Sequence, residues 1–117
     1  MKEIQNVDAR YVRDHLSSMP VIDVRDHSLY EQGHIPGALN VDLMKTNEMD
    51  ADCDESLAEQ VEDLGIKPED DIICYCQYGV MAREATIDLD EDGFTHVHTY
   101  SGSYADWVSD PADPVEK

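Results

Sequence analysis

The sequence predicts an α/β domain built on a mostly parallel sheet flanked by helices. Two short apolar runs rich in β-branched residues, Val21-Ile22-Asp23-Val24 and Ile72-Ile73-Cys74-Tyr75-Cys76, read as strands. Between and after them, apolar residues recur at helical spacing. Glycines and prolines fall at the joints. Strands that alternate with helices pack as a parallel sheet whose faces the helices cover.

Taken in order, Asp8 caps a helix that runs to about Leu16, with Val12 and Leu16 four apart on one face. Pro20 ends that segment and the strand at Val21–Val24 begins. Gly33, Pro36 and Gly37 mark a loop before a second strand at 38–41. Asp52 and Glu55 have capping-box spacing, which opens a helix bearing Leu57, Val61 and Leu64 and ending at Gly65. Pro68 precedes the central strand at 72–76. Ala82, Ala85, Thr86 and Leu89 form an i, i+3, i+4, i+7 face on the next helix, and Gly93 stops it. A last strand spans 95–100 and a last helical turn 104–108. Residues 1–108 are thus expected to form one domain, and 109–117 a short acidic extended tail.

At 117 residues the chain is long enough for one core without staples. Three cysteines are too few for a disulfide framework. No run of about 18 apolar residues is present, and the first residues lack the apolar stretch of a secretory signal, so a cytoplasmic protein is expected. The charge is extreme: 27 Asp and Glu against 8 Lys and Arg give a formal net charge of −19. Such a chain repels nucleic-acid phosphates and anionic membranes, which excludes both as expected partners. The acidic residues are spread along the chain rather than gathered in a tail. That distribution suits a halophilic protein, because at 1 M salt the screening length falls to about 3 Å.

One stretch carries the chemistry. The run Ile72–Cys76 ends on a cysteine, a short loop containing Gly79 follows, and a helical pattern starts at once. Loop amides and the positive end of the helix would face Cys76 and stabilise its thiolate. Chemistry in parallel sheets gathers at the carboxyl ends of strands, where Cys76 falls. Against that stands a plain alternative: free cysteines are often simply buried in strands.

The motifs also match a family. Val21-Ile22-Asp23-Val24-Arg25, then Tyr30-Glu31-Gln32-Gly33-His34-Ile35-Pro36-Gly37-Ala38-Leu39-Asn40-Val41, resembles the N-terminal signature of rhodanese domains. Cys74-Tyr75-Cys76-Gln77-Tyr78-Gly79-Val80 resembles their active-site loop, and Gly93-Phe94-Thr95-His96-Val97 with Gly102 and Trp107 resembles their closing strand and turn. The resemblance implies a sulfurtransferase in which Cys76 carries sulfane sulfur as a persulfide, cradled by Gln77, Tyr78, Gly79, Val80 and Met81. It needs no cofactor or metal. The implied partners are a small sulfur donor and a thiol or cyanide-like acceptor, or a sulfur-relay protein. A non-catalytic interaction or sulfur-carrier module is the alternative within the family.

Two positions depart from the family pattern. Many members carry arginine five residues after the cysteine, where this chain has Met81, and others a basic residue directly after it, where this chain has Gln77. The loop therefore lacks its own cation for a dianion such as thiosulfate, and Arg83 is the nearest. Cysteine phosphatases and arsenate reductases of related fold need arginine six residues after the cysteine to clamp a tetrahedral oxyanion, and that position is Ala82.

Among other residues, Asp23 and Arg25 sit at a strand end, near the active edge of a parallel sheet; they could tune the thiolate, but are expected rather to brace a loop, with Glu31 as a further partner. His34 is read as a loop-fixing residue. His96 and His98 lie two apart on a strand with no third ligand, a weak metal signal. Cys74 reads as core, Cys53 sits among acids, and Tyr104 and Trp107 read as packing residues.

Overall fold

The computed structural model describes residues 5–47 and 49–117. The element order is β1 (Gln5–Val7), α1 (Ala9–Asp14), β2 (Val21–Asp23), α2 (His27–Gln32), β3 (Leu39–Asn40), a 3-10 turn (Leu43–Lys45), α3 (Leu57–Asp63), β4 (Asp71–Tyr75), α4 (Val80–Glu91), β5 (His96–Tyr100) and α5 (Ser103–Ser109). Five strands form one sheet in the order β1-β5-β4-β2-β3, and every pairing is parallel. The α/β expectation holds, and the parallel character is complete within this sheet. β4 is its centre.

Side chains on β4 alternate between two cores, as the pleat dictates. Ile72, Cys74 and Cys76 pack with Leu57, Ala58 and Val61 of α3 and with Ala82, Ala85 and Leu89 of α4. Ile73 and Tyr75 point the other way, toward Val12 of α1 and Trp107 of α5. Helices α3 and α4 therefore cover one face, α1 and α5 the other. This sandwich fixes the carboxyl end of β4 between two helix N-termini.

The local reading needs several corrections. α1 stops at Asp14, capped by Asp8 as expected through Tyr11 N–H (2.9 Å), and 3-10-like turns replace its last expected residues. The capping box of α3 is Ser56 and Glu59, not Asp52 and Glu55: Ser56 Oγ accepts from Glu59 N–H, and Glu59 accepts from Ser56 N–H. Asp50 instead organises the acidic loop by accepting from Asp52 N–H. β1, α2 and the 3-10 turn add to the expected elements. The expected start of the chain at Met1–Ile4 lies outside the described residues.

Segment 109–117 does not trail away. Trp107 Nε1 donates to the Pro114 carbonyl at 2.7 Å, and Asp113, buried, pairs with Arg13 at 2.7 Å. His34 and Glu116 exchange backbone hydrogen bonds as an antiparallel bridge.

Candidate active site

Cys76 is the first residue beyond β4 and lies three before Gly79, which caps α4. Its Sγ accepts from Gly79 N–H at 3.0 Å and from Ala82 N–H at 3.3 Å. Two convergent amides at the positive end of a twelve-residue helix favour negative charge on that sulfur. The loop can close so tightly because residue 79 is glycine. Its φ is +99°, and a Cβ there would overlap the carbonyl of Ser101.

The loop is also held from behind by α5. Tyr104 N–H donates to Cys76 O at 2.9 Å and Ala105 N–H to Gln77 O at 3.0 Å. Ser103 Oγ accepts from Cys76 N–H at 3.1 Å and donates to Tyr100 O at 2.8 Å, with Cys76 Sγ 3.8 Å away. Cys76 itself is 3% exposed, while Tyr78 and Val80 on the rim are 74% and 79% exposed. Met81 packs partly against the α3–α4 core.

Asp23 and Arg25 form a buried brace beside this loop. Arg25 Nε lies 3.0 Å from each Asp23 carboxylate oxygen, and Nη2 donates to Asp23 Oδ2 and to Gly33 O, both at 2.7 Å. Tyr75 Oη donates to Asp23 Oδ2 at 2.7 Å. Burial opposes the Arg25 charge, but the hydrogen bond and charge of Asp23 outweigh it and hold the guanidinium proton more tightly than usual. Burial, aided by the Asp23 charge, likewise pushes the Tyr75 phenol well up. Glu31 takes no part in this brace and pairs with His27 instead.

Arg25 does reach the loop. Its Nη1 donates to Gln77 Oε1 at 3.2 Å, and both residues line a cavity of about 260 Å³ with Leu29, Gln32, Gly33 and Tyr104. The Tyr104 ring lies 4.2 Å from the guanidinium carbon, so this residue does more than pack the last turn. Arg83, fourth in α4, is exposed. The cation at the edge of the loop is therefore Arg25, brought there by the fold from 51 positions before Cys76.

The remaining candidates separate from the site. Cys74 is fully buried, and burial, with the neighbouring Cys76 charge adding, pushes its thiol up to about 12. Cys53 donates to the Lys45 carbonyl at 3.0 Å. His34 bonds Tyr30 O through Nδ1 at 2.8 Å and stacks on the Tyr30 ring, fixing the loop as expected. His96 bonds Thr95 Oγ1 and His98 faces Asp71. Among the described residues no three metal-binding side chains converge, and no helix is long and apolar enough to cross a membrane.

A model of the rhodanese-like domain matches residues 8–110. The thiosulfate sulfurtransferase of Pseudomonas aeruginosa is 31% identical over 114 residues, covering 86% of this chain and 41% of that protein. The sulfur carrier protein TtuD of Thermus thermophilus is 32% identical over 108 residues, covering 90% and 37%. The chain thus spans about two fifths of the length of these two relatives. Among solved structures, the human single-domain sulfurtransferase TSTD1 superposes with a TM-score of 0.73 at 28% identity, over 92% of this chain and 97% of that one.

Proposed function

The chain belongs to the rhodanese-like domain family, and on that premise we propose that it is a sulfurtransferase moving sulfane sulfur through a persulfide on Cys76. The observation that carries the reading is the pair of amides, Gly79 N–H and Ala82 N–H, aimed at a single sulfur atom at the head of α4.

The chemistry runs in two steps. The Cys76 thiolate attacks the outer sulfur of a donor, the Sγ–S bond forms, and the donor's own bond to that sulfur breaks with its electron pair leaving on the donor. With thiosulfate, sulfite departs and Cys76–S–S⁻ remains, so atoms and charge balance. A nucleophilic acceptor then attacks the outer sulfur, and Cys76 Sγ leaves as a thiolate onto the same two amides. Donors placed where charge develops lower the barrier to release, and in loading the same amides stabilise the attacking thiolate.

The donor is the less specified partner. The loop offers Met81 where an arginine would bind an anion, and the Arg25 charge is largely shared with Asp23. That favours donors less dependent on a cation than thiosulfate. The exposed Tyr78 and Val80 beside the sulfur suit contact with a protein acceptor, consistent with a sulfur relay. Buried Ala82 at the sixth position supplies an amide but no oxyanion clamp, which argues against phosphate or arsenate chemistry.

The test is sulfur loading followed by intact-protein mass spectrometry. Wild type and Cys74→Ser are expected to gain one sulfur atom that dithiothreitol removes, while Cys76→Ser gains none. Loading of Cys76→Ser would overturn the assignment, and no loading with thiosulfate or a low-molecular-weight persulfide would favour a non-catalytic module. With a formal charge of −19, loading by an anionic donor is expected to rise from dilute buffer to concentrated KCl.

A further inference from the structure

Ser103 departs from ordinary backbone behaviour. Its φ is +58°, which makes it the one non-glycine among the described residues in the left-handed region. Serine gains nothing there from its backbone, and glycine would occupy the same conformation without steric cost. The residue is also fully buried, so neither solvent nor surface polarity accounts for a hydroxyl at this place. What the side chain touches does. Its oxygen accepts from Cys76 N–H at 3.1 Å, which fixes its position beside the sulfur. Its proton is directed to Tyr100 O at 2.8 Å, and Cys76 Sγ, at 3.8 Å, lies within sulfur hydrogen-bonding distance of the same oxygen.

We propose that Ser103 is a catalytic residue of the sulfur-transfer reaction: its hydroxyl is a third donor to Cys76 Sγ, turning from the Tyr100 carbonyl to the sulfur as negative charge builds there. The inference rests on the persulfide reading above. In the loaded protein Sγ is a neutral divalent sulfur and the charge sits on the outer atom, so the hydroxyl is best satisfied by Tyr100 O. When an acceptor takes the outer sulfur, the S–S bond breaks, its electron pair stays on Sγ, and the hydroxyl can follow the charge by rotation about one bond. The two amides are fixed by backbone, but Ser103 can change partners without moving the loop. Because Sγ is the leaving group in release, the donor acts on that step, and in loading it stabilises the thiolate before attack.

Two substitutions separate this role from an effect of fold stability. Ser103→Gly and Ser103→Ala both remove the hydroxyl and both leave Cys76 N–H without its oxygen. Only alanine retains the left-handed strain, so the glycine variant should melt at the higher temperature of the two. The measurement is single-turnover release of sulfur from each preloaded protein to cyanide, with melting temperatures alongside. We expect both variants to release sulfur roughly tenfold more slowly than wild type, with rates that agree despite different melting temperatures. A glycine variant with wild-type release, or rates that follow the melting temperatures, would overturn the proposal. A wild-type protein that cannot be loaded at all would overturn the parent reading instead, and this one with it.

Discussion

The α-carbon of Gly79 lies so close to the carbonyl of Ser101 that no side chain fits between them. This contact brings the cysteine loop against the turn after β5, and it gives Gly79 two reasons to lack a Cβ, since its φ is +99° as well. Gly79→Ala should therefore destabilise the fold by about 3 kcal/mol, combining left-handed strain with a backbone clash that cannot be relieved by a rotamer. Sulfur loading should fall too, because Gly79 N–H is one of the two amides on Cys76. Urea denaturation and donor loading check both. A variant as stable as wild type would show that the turn at 101 yields easily.

Met81→Arg tests the absent cation. A guanidinium at the loop should improve kcat/KM for thiosulfate about tenfold, as a charge-assisted contact worth roughly 1–3 kcal/mol allows. Met81 packs partly against the α3–α4 core, so the new side chain must lay its stem along that surface and turn its head outward. Melting temperature controls for that accommodation. Unchanged or poorer thiosulfate kinetics in a stable variant would count against the argument.

Cys74 should be chemically silent. Burial holds its thiol up to about 12, so it is protonated in neutral and mildly alkaline buffer and becomes reactive only as pH climbs toward that value. Iodoacetamide is expected to leave Cys74 untouched in the folded protein and to modify it after unfolding, read by peptide mass spectrometry. Labelling of native Cys74 at neutral pH would mean that the β4 core opens readily.

The contact of Glu116 with the turn at 33–37 sets a pH dependence. The Gly37 N–H and then His34 hold the Glu116 carboxyl below its ordinary 4.5. A carboxyl depressed by folding adds stability that is fully present above the ordinary value and is lost as pH falls through the folded one. Wild type should therefore melt above Glu116→Gln at neutral pH, and the gap should close in acid below that range. A gap that persists in strong acid would assign the effect to shape rather than charge.

Much of this architecture was legible because its signals are local. The strand before Cys76, the glycine after it and the apolar face of α4 lie within one short window. By contrast, α2 has no buried residue, so no apolar stripe announces it, and β1 is three partly exposed residues on a sheet edge. Ser56 lost the helix start to Asp52 because both have an acid three positions on, and only packing of Leu57 decides between them. The contacts of Arg25, Tyr104 and Ser103 at the loop run across 27 to 79 positions, so a linear pattern does not say which atoms meet. The left-handed serine had one clue, its place directly after Gly102, but nothing in the sequence said which way its hydroxyl would point.

The grip of α5 on the loop also bears on how the protein is made. The carbonyls of Cys76 and Gln77 are tied to amides of residues 104 and 105, and Ser103 completes the hydrogen bonding at Cys76. A ribosome adds those residues after β4 and α4. Contacts of such long sequence separation form late, once the loop between them has been closed at entropic cost. The thiol therefore passes through synthesis without its full set of restraints and acquires them only when α5 docks. The restraints come on with the docking of α5, so a stalled or truncated chain ending before residue 103 would present Cys76 without them.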